Sequence, residues 1–459
     1  MRKLNCWKST LLYPITLCMA LPACHFIENA ELTTKRVFSN DSLANMAVIG
    51  MYGSMANDLN MSSGATTVFT GIWSDELRYT RNEADLLDFN IGKITAGNDM
   101  MREYFWAKPY HTIYLANNCI ENLRNNNKLT DTRRNQFLGE CLFFRAFQYF
   151  NMVQLFSDVP LVLVTNPHVS EVLPRTPVSE IYKQMISDFI EADTLLPPNY
   201  PEGRYRATQG AAEAMLAKCY LYQKKWSQAE SYASRVIETS GTELERDIRD
   251  VFLANNNDES LLHFISDNDF INTIEGAVFA PNTKIPNFIL TDSLLNDFEF
   301  GDKRRTAWLD SSDYNGDIMF YPYKYKLPGN SGVRRRESYM LLRLAEQYFI
   351  RAEARIELGN LEGAIQDIDA IRLRAGLPRI KEKYTNISQN SLRGILRHEK
   401  RIEFFAEWGH RWYDLKRWGI ASQVLKNKFR WEEKDLLWPI PYKDLMLNRN
   451  LTQNPGYDY

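Results

Sequence analysis

Two stretches of this chain repeat one pattern, and that pattern leaves few folds open. Residues 207–238 read as two helices joined around Lys224-Lys225-Trp226, and residues 339–375 as a second pair joined at Leu358-Gly359-Asn360. Apolar residues recur in both at three- and four-residue intervals, the period of a helix with one buried face. The registers match: Ala217 and Ala229 stand twelve apart, as do Ala352 and Ala364. Small residues at that spacing let antiparallel helices approach closely, as in tetratricopeptide repeats, and such a unit needs neighbours to cover its apolar face. The helical patterns at 131–156 and 178–194 suit a further, degenerate unit. Asp158-Val159-Pro160 stops the first of them and Thr176-Pro177 opens the second, because proline fits a first helical turn but not a helix interior.

Helical periodicity also covers 41–57 and 100–124, with one strong helix after Ser391 and an irregular tail behind it. Two regions break the period. Residues 61–71, rich in Gly, Ser and Thr, read as a loop, followed by the polar and aromatic segment 73–82. Residues 242–338 are richer in Asn, Asp, Gly and Pro, with isolated aromatics and a few short strands at most. Long irregular excursions from a rigid scaffold are functional or disordered, and the aromatic content of this one argues against disorder.

The formal net charge of -2 offers no basic field for nucleic acid. At the start, Arg2 and Lys3 precede an apolar run from Leu11 to Ala23, too short for a permanent membrane span. It reads as a signal peptide over residues 1–23. Leu21-Pro22-Ala23-Cys24 resembles a bacterial lipobox, which makes Cys24 the expected lipidation site. Two acyl chains suffice for stable anchoring. Cys119, Cys141 and Cys219 lie among apolar residues on helices and read as buried free thiols.

Glu399, Glu403 and Glu407 fall at i, i+4 and i+8, interleaved with Arg397, Arg401 and Arg411. Paired carboxylates can hydrolyse glycosides, but this arrangement reads as intrahelical and interhelical ion pairs. Arg145 and Asp414 read likewise as structural partners in helix packing. The sequence has no GxSxG elbow, P-loop, HExxH or dinucleotide turn, and its histidines are scattered. No enzyme activity, cofactor or metal site is expected.

Several separated motifs, taken together, resemble the SusD/RagB family. Glu140-Cys141-Leu142-Phe143-Phe144-Arg145-Ala146 runs into Leu155-Phe156-Ser157-Asp158-Val159-Pro160-Leu161. Gly203-Arg204, Ala207-Thr208 and Leu216 to Leu221 follow, then Arg343-Leu344-Ala345-Glu346 with Ala352-Glu353-Ala354. Glu399 to Glu403, Glu407 to Trp418, Pro439-Ile440-Pro441 and Asn450 to Tyr457 complete the series in the family's order. The resemblance implies a mostly α fold of tetratricopeptide-like helical pairs, with a loop-rich insertion carrying the ligand surface. It implies one domain over 24–459, divided into an N-terminal helical part (25–241), the insertion (242–338) and a C-terminal helical pair with its tail (339–459). It also implies a lipoprotein on the cell surface at the outer membrane. Such a protein captures oligosaccharides, or peptides in some members, and passes them to a SusC-like TonB-dependent transporter.

Sugar binding needs aromatic planes for pyranose C–H faces and planar polar groups for hydroxyls. Two stretches supply both. One holds Trp73, Asp75, Arg78, Tyr79, Arg81 and Asn82; the other holds Trp308, Tyr314 and Tyr321 near Asn282, Asp313 and Asn315. A scaffold that binds only proteins is the alternative, and it places its ligand on the concave helical face.

Overall fold

A computed structural model describes residues 34–253, 257–265, 271–329, 337–428 and 431–458. Cys24 and the expected signal segment lie outside them. Helix makes up 55% of the described residues, and among them the strands form three two-stranded sheets, so the fold is mostly α.

The main helices are α1 (Asp41–Ala56), α2 (Ala65–Trp73), α3 (Lys108–Leu123), α4 (Asp131–Phe156), α5 (Val178–Leu195), α6 (Gln209–Tyr222), α7 (Trp226–Thr239), α8 (Leu344–Glu357), α9 (Leu361–Arg374), α10 (Gln389–Phe404) and α11 (His410–Arg417). From α3 to α9 each packs on the next, and α10 closes the series against α8 and α9. Local chemistry sets many ends. The Asn40, Thr208 and Asn360 side chains accept the N–H of Leu43, Ala211 and Gly363 at the starts of α1, α6 and α9, satisfying donors a helix leaves open. The long α4 ends at Ser157, whose φ is 63°.

The alanine register does what its spacing predicts. Ala217, Ala229, Ala352 and Ala364 are all fully buried. Ala217, Ala229 and Ala233 of the first pair share a cluster with Ile350 and Ala354 of α8. So α7 packs on α8 although some hundred residues of sequence separate them, and the excursion leaves and re-enters the helical array within a single step. The three cysteines are buried and free.

Two elements depart from the sequence reading. Residues 65–71, expected as loop, belong to α2, which runs on to Trp73 and has all nine residues buried. Thr and Val run through it, so helix propensity is weak and burial decides. Residues 339–343, expected as the start of a helix, form a strand instead.

The strands are β1 (Leu77–Tyr79), β2 (Ser260–Phe264), β3 (Phe288–Leu290), β4 (Leu309–Tyr314), β5 (Asp317–Pro322) and β6 (Tyr339–Arg343). They pair antiparallel as β1–β3, β2–β6 and β4–β5. β3 also lies against β5.

Candidate ligand-binding surface

The excursion is fastened to the scaffold by buried charge. Arg304, just before β4, donates to Asp302 (2.8 Å), Glu399 (3.3 Å) and Glu403 (3.1 Å), all at 0% exposure. Lys324, just after β5, donates to Glu407 (2.8 Å) and to the Glu403 carbonyl (2.8 Å). Arg343 of β6 reaches Glu259 (2.9 Å), Glu403 (2.6 Å) and Glu407 (2.7 Å). Arg372 bonds Glu299 and Glu399, and Arg374 bonds Glu259 and Glu403. Burial alone raises the Glu403 pKa, but Arg374, Arg343 and Arg304 outweigh it and hold the carboxyl well below its usual range.

The ion-pair reading of Glu399, Glu403 and Glu407 therefore holds, with different partners. α10 ends at Phe404, so Glu407 sits in a turn where Ala406, Trp408 and Gly409 all have positive φ. At Gly409 a Cβ would lie 2.7 Å from the Thr70 hydroxyl, so this close approach of α2 requires glycine. Arg397 lies over the Trp418 ring instead, and Arg401 and Arg411 turn to Asp75. Arg145 pairs with Asp188 (2.7 Å) and Asp414 with Lys400 (3.0 Å), each joining helices.

Several nominated residues belong to this framework rather than to a surface. Trp73 is fully buried, edge-on to Trp412 and Trp438. Trp308 is fully buried, its indole N–H donating to the Ile248 carbonyl (2.9 Å). Neither ring can stack on a ligand. Their polar sequence neighbours suggested exposure, but an aromatic inside a polar run can still anchor that run to the core. Asp75 accepts from Arg411 (2.8 and 2.9 Å) and Arg401 (2.7 Å). Burial pushes its pKa up, but the two guanidiniums prevail and hold it at about 2. Tyr79 packs on Phe288 and is 8% exposed. Tyr321 is 6% exposed and its hydroxyl donates to Asp310 (3.0 Å).

The remaining residues come together. Pairing of β1 with β3 places Arg78 opposite Ile289, with the Arg78 side chain exposed. Arg81 donates to Asn287 Oδ1 (3.0 Å), Thr283 Oγ1 (3.1 Å) and the Ile285 carbonyl (2.9 Å). Ser312 of β4 donates to the Lys284 carbonyl (2.5 Å). The stretches around 80, 285 and 312 are thus bonded side by side, with Asn82, Asn282, Asp313 and Asn315 exposed beside them. Asn315 and Gly316 turn the β4–β5 hairpin with φ of 56° and 92°. Tyr314 (39% exposed) and Ile318 (63%) stand at its tip. Thr283, Lys284, Asn287 and Ile318 were not anticipated. The Asn-Gly pair between two apolar-containing runs was the available signal, since that dipeptide favours tight hairpins.

This surface offers one aromatic plane, guanidinium and amide donors and several carboxylates, on a backbone fixed by cross-strand bonds. That inventory suits reversible capture of a polyhydroxylated ligand. For a cation, Glu299, His398 and Glu399 are the described group whose ligand atoms converge, within 4.8 Å. Arg372 bonds both carboxylates and Lys383 bonds Glu299, so protein cations already neutralise the cluster.

Comparison with known proteins agrees with this architecture. Residues 303–457 match the SusD family model, and residues 28–221 match a second one described as "Starch-binding associating with outer membrane". The chain belongs to the SusD/RagB family. A SusD-like protein P2 of Formosa agariphila is 27% identical, over 96% of this chain and 98% of its own length. The starch-binding protein SusD of Bacteroides thetaiotaomicron is 25% identical over 72% of this chain and 74% of its own. Among solved structures, a SusD superfamily protein of Bacteroides vulgatus superposes with a TM-score of 0.81 at 24% identity, covering 92% of this chain and 100% of its own. A laminarin-binding SusD-like protein superposes with a TM-score of 0.78 at 24% identity, over 91% of this chain and 100% of its own. These superpositions establish the SusD fold. No helix among the described residues is long and apolar enough to cross a membrane.

Proposed function

We propose that this SusD family member is a glycan-binding lipoprotein of the outer-membrane surface, which holds oligosaccharide without cleaving it. The observation that carries the reading is the convergence of residues 78–82, 282–287 and 310–318 into one exposed surface, fixed by Arg81 and centred on Tyr314. Support comes from the described starch and laminarin binding of two relatives and from the outer-membrane association in the family description. Cys24 carries the lipid that anchors the chain. The mature chain is one unit, with 242–338 as its ligand-bearing excursion. Bound glycan passes to a TonB-dependent transporter on which the protein docks.

Peptide capture is the second reading, because guanidinium and amide donors serve peptide carbonyls as well as sugar hydroxyls. A broad screen of oligosaccharides and peptides on purified protein, with affinity isolation from membranes, tests both. Glycan retention and a co-isolated transporter are expected. No bound ligand and no co-isolated transporter would sink the proposal.

A further inference from the structure

A cavity away from the hairpin surface, built from other elements, has a different chemistry. It lies where the α6–α7 turn meets α8, α10 and the end of α11, and encloses about 280 Å³. That is below the roughly 300–1,000 Å³ of pockets for drug-sized ligands, so it admits one ring-sized unit. Tyr222 and the half-buried Trp226 supply aromatic wall.

Charge decides what the cavity takes. Two carboxylates line it, and each is already held by an arginine. Arg417 bonds Glu353 through both nitrogens (2.6 Å each), and Arg393 bonds Glu357 (2.6 and 2.8 Å). Two further cations face the same space. The Arg397 guanidinium lies 5.1 Å from the Trp418 ring centroid and has no carboxylate partner among the described residues. Lys224 stands exposed in the turn with its backbone at φ 57°, likewise with no such partner among those residues. Arg417 also lies over Trp418 at 4.8 Å. The Trp418 indole N–H is itself held by Glu353 (2.9 Å), which fixes the ring that carries Arg397.

The cavity therefore presents a planar cation with no carboxylate partner among the described residues, an exposed ammonium and aromatic wall. A guanidinium matches the oxygens of a carboxylate or sulfate bidentately. We propose that this cavity is a second saccharide site, selective for a sugar unit bearing an oxyanion, with Arg397 and Lys224 as its anion contacts. It is separate from the hairpin surface and does not depend on that surface binding glycan.

Calorimetric titration of the purified protein with three probes tests this: a trigalacturonate, its methyl ester and a sulfated galactose trisaccharide. The two anionic probes should bind at least tenfold more tightly than the ester, and added salt should weaken them. Their relative affinity separates carboxylate from sulfate recognition. Arg397→Gln and, independently, the exposed Lys224→Glu should each weaken anionic binding tenfold or more. Arg397→Lys should retain part of it, and all three variants should bind neutral oligosaccharide as the parent does. The site is wrong if the ester binds as well as the acid, if neither anionic probe binds, or if both charge variants leave acid binding unchanged. A hexaglutamate peptide that displaces trigalacturonate at equal or lower concentration would make this a peptide site and overturn the saccharide assignment. A protein that binds neutral oligosaccharide but no acidic probe refutes this site alone.

Discussion

Replacing Arg343 with methionine should be among the most damaging single changes in the chain. The Arg343 side chain is 1% exposed and donates to three carboxylates: Glu259 at 2.9 Å, Glu403 at 2.6 Å and Glu407 at 2.7 Å. Methionine restores the bulk but not the charge, so acidic groups stay in a low-dielectric interior with fewer cations. Breaking a buried pair from one side costs about 3–5 kcal/mol, mostly the penalty of the stranded partner. Arg304, Arg374 and Lys324 remain nearby, which favours the lower end. At roughly 2 cal/mol/K of unfolding entropy per residue, a 459-residue chain has about 0.9 kcal/mol/K, so the melting temperature should fall about 3–5 °C. The loss should shrink in acid. Arg343 helps hold the Glu403 and Glu407 carboxyls below their usual range, so without it they protonate at a higher pH, which removes the charges that methionine left unpaired. Scanning calorimetry at pH 7 and pH 4.5 makes the comparison. A variant that melts within 1 °C of the parent at pH 7 would refute the claim that this network fastens the excursion to the scaffold.

Trp308→Ala should lower stability by about 3–5 kcal/mol through cavity formation, whereas Tyr314→Ala should leave the melting temperature in place and weaken glycan binding by about 1–3 kcal/mol; melting and titration of both variants check this. Burial drives Glu76 and Glu275 up to about 8 each. Because their folded pKa values exceed the unfolded ones, the folded state binds more protons between about pH 4.5 and 8, and stability falls as pH rises through that window. Glu76→Gln should flatten the fall, so melting curves from pH 5 to 9 that superpose for parent and variant would contradict it. Arg81→Ala removes three partly exposed hydrogen bonds to residues 283–287. It should cost about 1 kcal/mol and speed amide exchange across 80–82 and 283–287 without affecting α6–α9.

The helical array was legible because its signal is local. The Ala217–Ala229 and Ala352–Ala364 registers lie within single helical pairs, and each pair follows its predicted course apart from the 339–343 strand. Proline and capping residues set ends that sequence alone exposes. What stayed hidden depends on distant partners. Glu403 meets Arg343 and Arg304 across 60 and 99 residues, where no spacing rule reaches, so nearby Arg397, Arg401 and Arg411 looked like the better candidates. α2 was hidden for the same reason, since its neighbours rather than its residues make it helical. The candidate surface was half legible. Its two stretches were identified, but burial separates Trp73 and Trp308 from Tyr314, and exposure is not written in residue type.

The surface around the β4–β5 hairpin is proposed to hold glycan. A crystal structure of the protein saturated with an oligosaccharide found in the binding screen tests it most directly. A sugar ring is expected against Tyr314, with hydroxyls in reach of Arg78, Asn82 or Asn282. A neutral oligosaccharide bound elsewhere, with the hairpin surface bare, would contradict it.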